Sequence, residues 1–148
     1  MDGPWLHALS RLGGALLVGA AVGWDRERRE RPAGLRTHML VSLGAALMVM
    51  IPLELELADP TRVVQGVSTG IGFLCAGDIL RRVRDGQEIV KGLTSAAALW
   101  VTAALGMVVA GGLWPLAVVG TVGTVVVLTL LKQLETPRPG HDGAPPKP

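Results

Sequence analysis

Five apolar runs decide most of what this chain can fold into. They lie at about residues 5–24, 37–57, 60–80, 92–111 and 113–131. Each is long enough to cross a bilayer, which needs about 20 mostly apolar residues. Within a bilayer no water satisfies the backbone, so only helices and closed barrels span it. The runs lack the period-two alternation of strands. They also lack the polar faces that a soluble helical bundle would carry. The expected fold is therefore an all-α membrane protein, a compact bundle of five transmembrane helices.

The charged residues fall between these runs and orient them. Arg26, Arg28, Arg29, Arg31 and Arg36 lie in the first connection. Arg81, Arg82, Arg84 and Lys91 lie in the third, and Lys132, Arg138 and Lys147 follow the last run. In a five-span alternation these twelve share one side, and only Arg11 and Arg62 lie on or toward the other. Basic loops stay in the cytoplasm. The N-terminus is thus expected outside and the C-terminus inside. Residues 1–4 carry no Lys or Arg, so the basic region of a cleavable signal is missing and the first run is expected to remain as an anchor. Trp5 and Trp24 bracket that run, 19 positions apart. A helix separates them by roughly 28 Å at 1.5 Å per residue, the spacing of two interfacial anchors. Residues 132–148, rich in Pro and Gly, are expected to be a disordered cytoplasmic tail.

Composition excludes several functions. Net charge is only +2, far from the strongly basic face of a nucleic-acid binder. The stretch "RERRERPAGLR" is interrupted by acids and has no aromatic platform, so no nucleic-acid partner is expected. With a single Cys75 and three scattered histidines, His7, His38 and His141, no structural zinc site is expected. No nucleophile–base pair or phosphate loop appears, so neither an enzyme nor a cofactor is expected.

Local signals refine the helices. Asp25–Arg29 and Glu27–Arg31 are spaced i,i+4, so a helix would bring opposite charges together. Pro32 disfavours helix at Arg31, and the first helix is expected to run to about there. A second expected ion pair joins Asp25 to Arg36. Pro52 predicts a kink in the second run. Asp59 and Pro60 form a good helix start. Ala15, Gly19 and Gly23 form one small-residue stripe, and Gly66 and Gly70 another; such stripes admit close helix approach. In "GVSTGIGFLCAGDILRR" two readings stand: close packing, or a helix that unwinds at mid-membrane. Asp78 is either a functional acid within a span or an interfacial partner of Arg81 or Arg82. Arg11 either snorkels outward or pairs with Glu54, Glu56 or Asp59. Gln65 either bonds between helices or lines a path. Cys75 reads as a small buried hydrophobe. Trp100 reads as a packing residue, and Thr94 and Ser95 as capping or backbone-bonding groups.

Three blocks carry a resemblance. "GWDRERRERPAGLRTHMLVSLGAAL", "VVQGVSTGIGFLCAGDILRR" and "VKGLTSAAALWVTAALGMVVAGG" resemble, in order and spacing, the MgtC/SapB family of bacterial inner-membrane proteins. The match covers about residues 8–131. It implies a polytopic helical domain, 1–131, without the soluble C-terminal domain many members carry. It implies multi-pass residence in the inner membrane and a link to magnesium limitation and related stress. Matching motif positions include Asp25, Arg26, Arg36, Thr37, Gln65, Arg81 and Thr94. Cys75 and Asp78 depart from the family pattern. The expected role is accessory or regulatory, through another membrane protein or a second copy. The alternative is a small oligomeric cation transporter or channel, with Asp25, Gln65 and Asp78 near its path.

Overall fold

A computed structural model describes residues 3–56, 59–80 and 92–134. Its elements are five helices: α1 (Pro4–Arg28), α2 (Leu35–Glu54), α3 (Thr61–Leu80), α4 (Leu93–Ala110) and α5 (Trp114–Leu134). Helices α1, α2 and α4 are each long and apolar enough to cross a membrane. The described apolar part of α5, Trp114–Leu130, is shorter. Helix α3 matches them in length but carries Arg62, Gln65 and Asp78.

Helix α4 is the hub and touches all four others. Ten of its 18 residues are buried. Its sequence explains this: Ala, Gly and Ser occupy much of the buried surface, so neighbouring backbones come close. The closest approach is at Gly106. A Cβ there would lie 2.2 Å from the Ser42 carbonyl oxygen of α2. The α1 stripe does the same for α2. A Cβ at Gly19 would lie 2.7 Å from the His38 carbonyl oxygen, and one at Gly23 would lie 2.8 Å from the Leu35 Cα. Ala15 is fully buried in the same face. The expected packing role of this stripe is therefore met.

Both tight turns follow one pattern. After α4, Gly112 takes the left-handed conformation (φ +75°). Its N–H bonds to Val109 and that of Leu113 to Val108, the paired bonds of a Schellman cap. After α1 the same bonds run from Glu30 to Glu27 and from Arg31 to Arg26. Here the left-handed position, φ 50°, belongs to Glu30 rather than glycine. The helix consequently ends at Arg28, three residues before the expected stop. Local turn geometry, not Pro32, ends it.

Other boundaries need smaller corrections. Pro52 is buried within α2, which ends two residues later at Glu54. Asp59 caps α3 by accepting the Thr61 N–H at 3.0 Å. Helix α5 continues through Leu134, so residues 132–134, expected in the tail, are helical. The rest of that tail, 135–148, lies outside the described residues, as do Arg81 and Arg82. Helix α3 is continuous from Thr61 to Leu80, which overturns the unwound reading. Its glycines are not packed among the described residues either: a Cβ at Gly66, Gly70, Gly72 or Gly77 would meet nothing there within 4 Å.

Large apolar side chains ring the outside, among them Trp5, Leu17, Leu40, Phe73 and Val119. In water such a surface would aggregate, whereas hydrocarbon accepts it. Trp100 is 49% exposed and belongs to this ring rather than to the core.

The glycine contacts make a stability prediction. Gly106→Ala forces α2 and α4 apart and should cost about 1–3 kcal/mol, the usual penalty of overpacking. Gly72→Ala enters open space and should be neutral or slightly stabilising. Unfolding midpoints of the two variants in one detergent check the contrast; equal midpoints would refute the close contact.

Candidate functional site

Ser42 and Thr102 lie deeper along α2 and α4, while three other buried polar side chains, Arg26, His38 and Ser95, gather at one end of the bundle. There the end of α1, the α1–α2 turn and the starts of α2 and α4 meet. Arg26, in the last turn of α1, is only 5% exposed. Its Nη2 donates to the Ser95 hydroxyl of α4 at 2.5 Å. A buried guanidinium needs such partners, because an unsolvated charge is costly. Beside it in sequence, Asp25 accepts from Arg29 Nε, one turn on, at 2.7 Å. This is the pair expected from i,i+4 spacing. It also corrects the second expectation for Asp25: its partner is Arg29, and Arg36 is exposed at the start of α2.

Glu27 does something the sequence reading missed. Its Oε2 accepts the Leu35 N–H at 2.9 Å. Helix α2 starts after Gly34, which has no side chain to cap it. A glutamate eight residues upstream supplies the oxygen instead, and its charge suits the positive helix end. Gly34 leaves room for it: a Cβ there would collide with Glu27 Oε2. The expected Glu27–Arg31 pair is thereby replaced. Arg31 is outside the helix, so i,i+4 spacing no longer places it beside Glu27.

His38 and Ser42 are fully buried, one helical turn apart on α2. His38 Nδ1 lies 2.9 Å from the Gly34 carbonyl oxygen. A carbonyl only accepts, so Nδ1 carries the proton. His38 Nε2 and Ser42 Oγ have no hydrogen-bond partner among the described residues, nor does Asp25 Oδ2. Thr102, also buried, bonds back to the Ala98 carbonyl.

The apolar floor of this end comes from all three sequence blocks. Ala33 of the turn clusters with Ala45, Ile71, Cys75, Ala96 and Leu99. Cys75 is buried as expected, and its thiol donates to the Ala96 carbonyl at 3.1 Å. Thus the first block meets the third through Arg26 and Ser95, and the second meets the third through Cys75 and Ala96.

The remaining candidates disperse. Thr37 and Gln65 are exposed. Gln65 stands near the start of α3, away from the charged end. Asp78 is half-buried near the end of α3, and Arg81 lies outside the described residues. Thr94 is exposed, while the adjacent Ser95 makes the interhelical bond. Neither caps α4, whose cap position is Gly92 in a left-handed conformation, φ 107°. Among the described residues no ion pair involves Arg11, and the snorkelling reading fits its half-buried state. Among them, too, no cluster of three or more His, Cys, Asp or Glu could hold a metal ion.

The convergence of three sequence blocks at one buried end is what a shared family core would produce. The profile of the MgtC family matches residues 12–136. The chain belongs to the MgtC family. It is 46% identical over 145 residues to protein SrpB of Synechococcus elongatus, covering 90% of this chain and 80% of SrpB. It is 43% identical to the "putative magnesium transporter YhiD" of Escherichia coli K12, covering 81% of this chain and 58% of YhiD. It is 42% identical to protein MgtC of Brucella abortus, covering 88% of this chain and 54% of that protein. The chain thus spans little more than half the length of the last two. No solved structure matches it. The membership and the apolar helices together identify a multi-pass membrane protein.

Two predictions follow from this end of the bundle. Ser95→Ala removes a hydrogen bond to a buried charge and should cost about 1.5–3 kcal/mol. Thr94→Ala, on an exposed side chain, should stay within about 0.5 kcal/mol. A reversed order in detergent unfolding would refute the assigned helix rotation. Glu30→Gly relieves a left-handed non-glycine residue and should raise stability by about 1 kcal/mol; an unchanged or lower midpoint would refute the strain.

Proposed function

We propose that this chain is a five-span protein of the bacterial inner membrane, with its N-terminus outside and its C-terminus in the cytoplasm. It acts as an accessory or regulatory component in adaptation to magnesium limitation or related stress. It works by contact with another membrane protein, not as an enzyme.

The observation that carries this reading is Arg26. Its guanidinium is always charged, and it is buried where α1, α2 and α4 converge. A cation path between these helices would pass this fixed positive charge. The acids nearby serve the fold of this end: Asp25 holds Arg29 through Oδ1 and Glu27 caps α2 through Oε2. This suits a shaped contact surface better than a conduit. The printed name of YhiD, a "putative magnesium transporter", supports the connection to magnesium.

The name of YhiD also favours a second reading, cation transport. Given Arg26, that path would run between copies of the chain rather than through one.

The test has two arms. In the first, the chain is expressed in bacteria lacking their own MgtC-family gene, and growth at low magnesium is followed. In the second, magnesium flux is measured in proteoliposomes containing only the folded protein. Restored growth with no flux is expected. Flux that disappears in Asp25→Asn would overturn the accessory role in favour of transport.

A further inference from the structure

Glycine serves two purposes in this chain. Gly14, Gly19 and Gly23 of α1 and Gly106 of α4 sit against neighbouring backbone or side chains. Among the described residues, Gly44 of α2 and Gly66 and Gly70 of α3 face nothing within 4 Å. These three line a single apolar groove of about 650 Å³ between α2 and α3, walled by Leu40, Met48 and Leu74. Of the helix pairs in contact, α2 and α3 touch least. The missing side chains make the recess deep.

We propose that this groove binds one acyl chain of an anionic phospholipid, with the headgroup held at Arg36 and Thr37. The proposal rests on the reading that α2 and α3 both span the membrane. Length selects the occupant. The lining runs from Thr37 to Met48 on α2 and from Val63 to Leu74 on α3. Either wall is therefore about 16 Å long at 1.5 Å per residue. One leaflet of a hydrocarbon core about 30 Å thick is about 15 Å. A lipid tail occupies one leaflet. A helix from a second copy crosses both and would need a groove about twice as long.

Charge selects the headgroup. Thr37 lines one end of the groove, and Arg36 beside it is exposed. Arg31, in the turn before α2, is exposed as well. The basic connection thus lies at the mouth, at the level where phosphates sit. Basic sites beside transmembrane helices select anionic headgroups in this way. The threonine hydroxyl adds a donor for a phosphate oxygen.

Native mass spectrometry of the delipidated protein tests the proposal, with phosphatidylglycerol and phosphatidylcholine titrated separately. The expected result is one tightly held phosphatidylglycerol per chain, preferred over phosphatidylcholine. Arg36→Gln, at an exposed position, should weaken phosphatidylglycerol about fivefold, the worth of one basic residue at the membrane surface. It should leave phosphatidylcholine unchanged. Gly70→Leu fills the groove and should reduce both lipids more than tenfold. Gly44→Leu does so from the other wall and replaces it if Gly70→Leu does not fold, as judged by helical circular dichroism. Equal binding of the two lipids, or full binding in a folded groove-filling variant, would overturn the proposal. So would a two-chain mass that the groove-filling variant dissociates, which would assign the groove to a second copy. Recovery of the protein from membranes only with detergent, and labelling of the α2–α3 connection from one side, test the spanning reading separately.

Discussion

Backbone proximity between α2 and two of its neighbours, α1 and α4, underlies everything else in this structure. In a bilayer, apolar side chains gain little by leaving lipid for protein, so helices associate through close van der Waals contact. Gly19 and Gly23 bring α1 against the backbone of α2, and Gly106 brings α4 against it from another direction. Only then is Arg26 of α1 within reach of Ser95 on α4. The buried charge is thus a consequence of the glycine contacts. A wider bundle would leave the guanidinium without its hydroxyl.

The same contacts explain the unusual cap of α2. When the chain leaves α1 through a left-handed Glu30, it turns back sharply enough for Glu27 to meet the first amide of α2. One acid then does what a serine or aspartate at position 34 would ordinarily do. A side chain at 34 is excluded by that very contact. Turn, cap and close approach are one arrangement, and altering any of them disturbs the other two.

Much of the fold was legible in the sequence because span length and proline–glycine punctuation are local signals. All five helices fall where the apolar runs fall, and Asp25–Arg29 follows from spacing alone. What was not legible depends on rotation about a helix axis or on a turn. Thr94 and Ser95 are neighbours in sequence with the same chemistry, yet only Ser95 faces Arg26. The Glu27 cap required knowing that α1 stops at Arg28, which a left-handed glutamate does not announce. His38 carried no distinguishing signal beyond its place in "AGLRTH", although it is fully buried. The glycine stripes of α1 and α3 look alike in sequence. They diverge because, among the described residues, α1 has a close partner on that side and α3 does not.

That divergence bears on how the molecule meets its surroundings. Helix α3 is anchored on one side, where Ile71 and Cys75 join the core beneath the α1–α2 turn. Its glycine-bearing side stays open along α2. An element held firmly on one flank and recessed on the other is suited to take up something from the membrane without loosening the bundle. The polar end is closed by comparison, since Asp25, Arg26 and Glu27 are committed to holding the turn and the helices. The two regions therefore divide the work: the buried charges fix the shape of one end, and the open α2–α3 face offers the surface that the shape presents.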